Sequence, residues 1–280
     1  MTTTTGPVLE AQGLAKRYRR GAWALAGIDL ELPTGGITAL VGPNAAGKST
    51  LIKTWVGFER PTRGSVRVAG IDPWKDRSGA LAKLGYVPQS PALYDGLSVA
   101  DHLDLAQQLR PGFDRDYARD RLAQLDIPAN RGARSLSGGQ QAQVALAIAL
   151  GTRAPILLLD EPLASLDPLA RREFLHVLTD AVRGDGATAL LSSHIVTDVE
   201  QACDRLIVLG VGRVLLHDTV ASALDGHAIS TTELPGAVGS FAAPDGARIW
   251  LMRGAADRPA TLDEVVLGYL ASGRPAKAAA

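Results

Sequence analysis

The chain has 280 residues, 46% of them apolar, enough for one large or two modest domains with a buried core. Its 29 Lys and Arg balance 29 Asp and Glu, which argues against a general nucleic-acid binder, since such proteins carry a positive excess. The single cysteine, Cys203, excludes an intrachain disulfide framework and suits a reducing compartment. The threonine run at Met1–Gly6 has neither a basic region nor an apolar one, so no signal peptide is expected. Val8–Leu14, Ile28–Leu32 and Ile37–Val41 then read as strands. A glycine-rich loop follows, with a helix from about Gly47 to Phe58. Ser65–Val68 and Tyr86–Val87 are short strands. The periodicity then turns helical at Val99–Leu109, Asp114–Leu125 and Gly138–Leu150. Strands return at Ile156–Leu159, Thr188–Leu191, Arg205–Leu209 and Arg213–Leu216, with helices near Leu169–Val182 and Ile195–Ala202 between them.

This alternation predicts a mostly parallel sheet covered by helices. The helical block, about residues 90–150, reads as an inserted subdomain. Beyond His217 the sequence becomes Ala-, Gly- and Pro-rich with weak periodicity, and residues 218–280 read as a small C-terminal extension. Within it stand one strand (Arg248–Met252), one amphipathic helix (Leu262–Leu270) and an Ala-rich tail, Ser272–Ala280, expected to be disordered. No stretch reaches the roughly 20 apolar residues of a membrane span. Arg153 and Pro155 break the nearest candidate, Val144–Leu159, so any membrane role is expected to come through a partner.

Residues 42–50 read Gly42-Pro43-Asn44-Ala45-Ala46-Gly47-Lys48-Ser49-Thr50, the G-x-x-x-x-G-K-[ST] pattern, placed between a strand and a helix. Glycines let backbone N–H groups turn inward around phosphates, and the helix start adds partial positive charge. Lys48 is expected to reach the β- and γ-phosphates, and the Ser49 hydroxyl to ligate Mg²⁺. The apolar run Ile156–Leu159 ends in Asp160-Glu161-Pro162, at the strand edge where open α/β sheets bind ligands. Asp160 is expected to hold Mg²⁺, and Glu161 to act as general base towards the attacking water.

Leu136-Ser137-Gly138-Gly139-Gln140 stands at the start of the apolar helix before that strand. With this pentapeptide the chain resembles an ATP-binding cassette (ABC) ATPase over about Val8–His217, the stretch 1–217 taken as the ATPase domain. The resemblance implies an α/β P-loop NTPase core with a mostly parallel sheet, an antiparallel β subdomain and an inserted α-helical subdomain. It implies that Ser137, Gly138, Gly139 and Gln140 form a second anion-binding surface, facing the γ-phosphate held by an opposite subunit. Tyr18, in Lys16-Arg17-Tyr18-Arg19-Arg20, matches the aromatic that stacks on adenine. Gln89 matches the glutamine that contacts Mg²⁺ and water, and His194 the histidine that bonds the γ-phosphate. Ser165-Leu166-Asp167-Pro168 resembles the loop that crosses the dimer interface.

The resemblance therefore implies ATP and Mg²⁺ as cofactors and a second ABC ATPase subunit, a homodimer, as partner. It also implies a separate transmembrane permease and a place on the inner face of the cell membrane. Pro259–Leu267 resembles the closing helix of cassettes serving ABC-2 type exporters, so export is the expected direction. An importer subunit and a soluble, non-transport ABC ATPase are the alternatives. Lys48 and Ser137 lie 89 residues apart, too close for the long coiled coil of repair-type relatives.

Three positions depart from the family. Ala45 stands where glycine is usual, Gln141-Ala142-Gln143 lack the basic residues that follow the signature, and Ser165 replaces a common glycine. The remaining histidines, His102, His176, His217 and His227, match nothing and are expected on the surface. Cys203 is expected to pack against the neighbouring strand.

Overall fold

A computed structural model describes residues 6–19, 21–90 and 93–273. The expectations for the start of the threonine run, for Arg20 and for a disordered tail past residue 273 lie outside the described residues. The chain opens with β1 (Leu9–Arg17), β2 (Trp23–Leu32), β3 (Gly36–Val41), α1 (Lys48–Trp55) and β4 (Arg63–Val68). Next come α2 (Arg77–Ala82), β5 (Leu84–Val87), α3 (Val99–Leu109), α4 (Arg115–Gln124) and α5 (Gly138–Gly151). β6 (Ile156–Leu159), α6 (Pro168–Asp185), β7 (Thr188–Ser193), α7 (Val196–Ala202), β8 (Arg205–Gly210) and β9 (Arg213–Thr219) follow. The chain ends with α8 (Val220–Asp225), β10 (His227–Ser230), β11 (Gly239–Ala242), β12 (Arg248–Arg253), β13 (Arg258–Pro259) and α9 (Leu262–Ser272).

The central sheet has the order β5-β6-β7-β3-β8-β9. Every pairing is parallel except the last, where β9 turns back on β8. All four residues of β6 are buried, because the sheet is covered on both faces. Ile156 and Leu158 join one core with α1 and the first strands, and Leu157 and Leu159 join another with α5 and α6. β2, β1 and β4 form a separate antiparallel sheet. The Trp55 indole ties α1 to it, donating to the Glu10 carbonyl at 2.9 Å.

Helices α3, α4 and α5 lie between β5 and β6, which are sheet neighbours. Leu103, Phe113, Leu122 and Val144 give this block a core of its own. The C-terminal stretch holds more structure than its weak periodicity predicts, with a four-stranded antiparallel sheet, β11-β12-β10-β13, and α9 beside it. Leu251, Val265 and Tyr269 share a core with Ala39 and Val41 of β3 and Val208 of β8. Thr261 and Glu264 cap α9 reciprocally, and the Arg258 guanidinium donates to Glu264 at 2.8 Å. That bond holds the Glu264 carboxyl down at about 2.

Two histidines expected on the surface are buried, His102 at 5% and His227 at 7% exposure. A neutral imidazole can fill both ring nitrogens inside a protein. His102 accepts from the Tyr94 N–H through Nε2 at 2.8 Å, and its Nδ1 lies 2.7 Å from the Ser98 carbonyl. His227 bridges the Ala223 carbonyl and the Tyr269 hydroxyl. His176 and His217 are exposed. Cys203 packs between two core clusters, and burial pushes its thiol up to about 12.

Gln143 lies on α5, in the stretch where the resemblance implies basic residues, and among the described residues neither end of its buried amide has a hydrogen-bond partner. An unpaired buried amide costs about 1–3 kcal/mol. Gln143→Leu is therefore expected to raise the melting temperature by roughly 3 °C, read by scanning calorimetry. An unchanged or lower value would show that the amide is satisfied in solution.

Candidate nucleotide site

The site grows from the end of β3. The loop after Val41 runs under the β8–β9 turn, where the Gly212 N–H donates to the Ala46 carbonyl at 3.0 Å. A Cβ on Gly42 would lie 2.2 Å from the Leu209 carbonyl oxygen. Gly47, at φ 109°, would drive one to 2.5 Å from the Ala24 carbonyl oxygen. Glycine is thus required at both positions by close backbone approach. Ala45 adopts φ 64° with its side chain exposed, so the positive φ that glycine usually serves is present here in alanine. That strain costs roughly 1 kcal/mol. A strain kept alike with and without nucleotide weighs on fold stability and not on affinity. Ala45→Gly is expected to change ATP affinity less than about twofold by calorimetric titration. A tenfold gain would place the strain in the bound state instead.

Lys48, 3% exposed, opens α1. Its ammonium donates to the Gly42 carbonyl at 2.7 Å and the Pro43 carbonyl at 3.1 Å. It also pairs with Glu161 Oε1 at 2.8 Å. Glu161 Oε2 lies 3.6 Å from His194 Nδ1. Glu161 itself stands at φ 45°, an uncommon conformation for a residue with a side chain. Asp160 Oδ1 accepts from the Ser49 hydroxyl at 2.8 Å and the Ser192 hydroxyl at 3.2 Å. Burial raises the Asp160 carboxyl above its ordinary range, and these hydroxyls oppose that shift. Asp160 also helps burial push the Tyr86 phenol up to about 12.

A cavity of about 380 Å³ is lined by loop residues 44–50, Ala24, Gln89 and Glu161. The structure thus brings Lys48, Ser49, Thr50, Gln89, Asp160 and Glu161 to one place, with His194 at its edge. Tyr18 stands 44% exposed, its hydroxyl 3.4 Å from Thr50 Oγ1. The signature residues do not line this cavity. Ser137 and Gln140 instead cap α5 reciprocally at 3.1 and 3.2 Å, with Ser137 exposed. Asp167 caps α6, accepting from the Leu169 and Ala170 N–H groups, and Ser165 is exposed.

The site's oxygen donors suit a hard divalent cation: a hydroxyl, a carboxylate and an amide. Asp160 Oδ2, buried, has no hydrogen-bond partner among the described residues. Ser49, Asp160 and Gln89 therefore fit Mg²⁺ in residue type. Sequence reasoning misses Ser192 and Ala24. The Ser192-Ser193-His194 context was the available signal for the first, but a strand serine reads as structural until its neighbours are known.

The family model described as "ABC transporter" matches residues 25–164. The phosphonates import ATP-binding protein PhnC of Thiobacillus denitrificans is 36% identical over 80% of this chain and 91% of its own length. The probable multidrug ABC transporter ATP-binding protein YbhF of Escherichia coli is 36% identical over 74% of this chain and 37% of its own length. Among solved structures, the dimeric post-hydrolysis state of the cassette MJ0796 bound to ADP and Pi superposes with a TM-score of 0.68 and 26% identity. That match covers 76% of this chain and 98% of MJ0796. With the family model spanning half of the chain and relatives above 30% identity along most of it, the chain belongs to the ABC transporter family, as an ATP-binding, ATP-hydrolysing subunit.

Proposed function

We propose that the chain powers a separate membrane permease, in the direction of export, by closing two cassettes around ATP. The observation that carries this is the division of the site. The cavity holds the phosphate loop and the acidic strand end, while Ser137–Gln140 lies outside it on the same chain, with Ser137 and Gly138 exposed and Gly139 and Gln140 partly so. A helix start bearing Ser137 and two glycines is an anion-binding surface without an anion of its own. A second copy supplies the anion, and the dimer of MJ0796 is a precedent for such pairing.

In this reading the loop N–H groups and Lys48 hold the phosphates, and Tyr18 stacks on the adenine. Ser49, Asp160 and Gln89 would hold Mg²⁺, which supplies neutralising charge to the phosphates when bound. Glu161 takes the proton of the attacking water, with His194 beside it. Closure and reopening of the pair do work on the permease. No described helix is long and apolar enough to cross a membrane, and in this reading a permease partner supplies the spanning part. In this reading the chain sits in the cytoplasm, peripheral on the inner face of the membrane, and its balanced charge argues against a nucleic-acid partner.

Export is supported by α9, capped by Thr261 and Glu264, through its resemblance to the closing helix of ABC-2 type cassettes, and by the relative named for multidrug transport. Import is the second reading, favoured by the phosphonate-import relative. A tagged Glu161→Gln chain, expressed in its native cell and purified from gently solubilised membranes with ATP, is expected to bring down a multi-span membrane protein. Recovery of soluble partners alone sinks the transporter reading. Vesicles holding that permease with cassettes outside are expected to accumulate cargo in the lumen, and loss of preloaded cargo would favour import.

A further inference from the structure

β7 lies between β6 and β3 in the central sheet, and Ser192 is its penultimate residue. Along the ladders, Leu191 stands opposite Leu159, and Ser192 opposite Leu40. Ser192 therefore sits just past the point where β6 opens into Asp160 and Glu161. It is 1% exposed. Its hydroxyl oxygen accepts from the Glu161 N–H at 2.7 Å, and the hydroxyl donates to Asp160 Oδ1 at 3.2 Å. One hydroxyl has a proton to give and lone pairs to receive, so both bonds form without conflict.

Each bond constrains something the site depends on. Glu161 at φ 45° persists only if its surroundings over-determine it, and the bond from its N–H to Ser192 is one such constraint. That backbone angle aims the Glu161 carboxylate between Lys48 and His194. Asp160 Oδ1 is held by two hydroxyls, from Ser49 and Ser192, which fixes the carboxylate and leaves Oδ2 as the unpartnered oxygen.

We propose that Ser192 is a positioning residue for ATP hydrolysis, its hydroxyl setting both the backbone of Glu161 and the carboxylate of Asp160 without itself touching nucleotide. This rests on the roles of Asp160 and Glu161 proposed above. Ser192→Ala leaves the Glu161 N–H without its acceptor and Asp160 with one hydroxyl donor. Phosphate grip, which belongs to the loop and Lys48, is untouched.

The test measures kcat and KM for ATP on the full chain, and ATP affinity by calorimetry with Mg²⁺ and with EDTA. In Ser192→Ala, kcat is expected to fall about 10–100-fold, as for other groups that orient metal-site carboxylates. KM is expected to stay within about threefold, rising only by the part of the MgATP affinity that a fixed Asp160 supplies. ATP affinity in EDTA stays at the wild-type value, while the extra affinity gained with Mg²⁺ shrinks. Ser192→Thr, which keeps the hydroxyl, is expected to recover most of both losses. A kcat within about twofold of wild type overturns the proposal. So does an equal loss of ATP affinity with Mg²⁺ and with EDTA alongside a lower melting temperature, the pattern of a packing defect. ATPase activity that survives Lys48→Ala unchanged overturns the site reading itself and this inference with it.

Discussion

Lys48→Ala is expected to abolish ATP turnover, by at least about 10³-fold, because it removes the only side-chain ammonium that lines the phosphate cavity among the described residues. A second effect comes from the fold. Lys48 and Glu161 are 3% and 8% exposed and pair at 2.8 Å. Removing one member of a buried pair strands the other charge, at a cost of about 3–5 kcal/mol. The variant is therefore expected to melt earlier as well as to be inactive. The double variant Lys48→Ala, Glu161→Gln separates the two effects. It is expected to recover much of the melting temperature and none of the turnover. A Lys48→Ala chain that hydrolyses ATP at the wild-type rate would remove Lys48 from the site.

Glu161→Gln is expected to slow hydrolysis by about 10²–10⁴-fold, the usual worth of a positioned general base. It is also expected to strengthen ATP binding. Glu161 pairs with the ammonium that the phosphates need, so carboxylate and phosphates compete for it. A neutral amide competes less well for Lys48. The variant should then accumulate as an ATP-dependent dimer with Mg²⁺, seen as a doubling of mass in sedimentation velocity. A chain that stays monomeric at high concentration with saturating MgATP counts against pairing with itself and points to a different cassette as the partner. Weaker ATP binding than wild type would show that Glu161 does not compete for Lys48.

The layout of the candidate site was legible in the sequence where residue type and local order suffice. A phosphate loop needs a strand, glycines at close approach and a helix start, and all three are consecutive between Ile37 and Trp55. The acidic end of β6 was legible because a fully buried strand must be apolar throughout and can turn polar only where it leaves the sheet. The short strands β10, β11 and β13 were not legible. The pairings of β10 and β13 join residues distant in sequence, and β10 buries His227 and Ser230, so no alternation marks it; β11 is four residues long and pairs only with β12.

The sequence by itself determined the parallel core, the helical insertion between β5 and β6, and the family, because each rests on contiguous residues whose types are dictated by backbone path or burial. Only the tertiary structure decided what those residues do to one another. It paired Lys48 with Glu161, set Ser192 against both carboxylates and buried His102 and His227 with their ring nitrogens satisfied. It also kept the signature away from the chain's own cavity. The reason is that ion pairs and hydrogen bonds act over a few ångströms, and the groups that meet at that range come from strands and helices far apart along the chain.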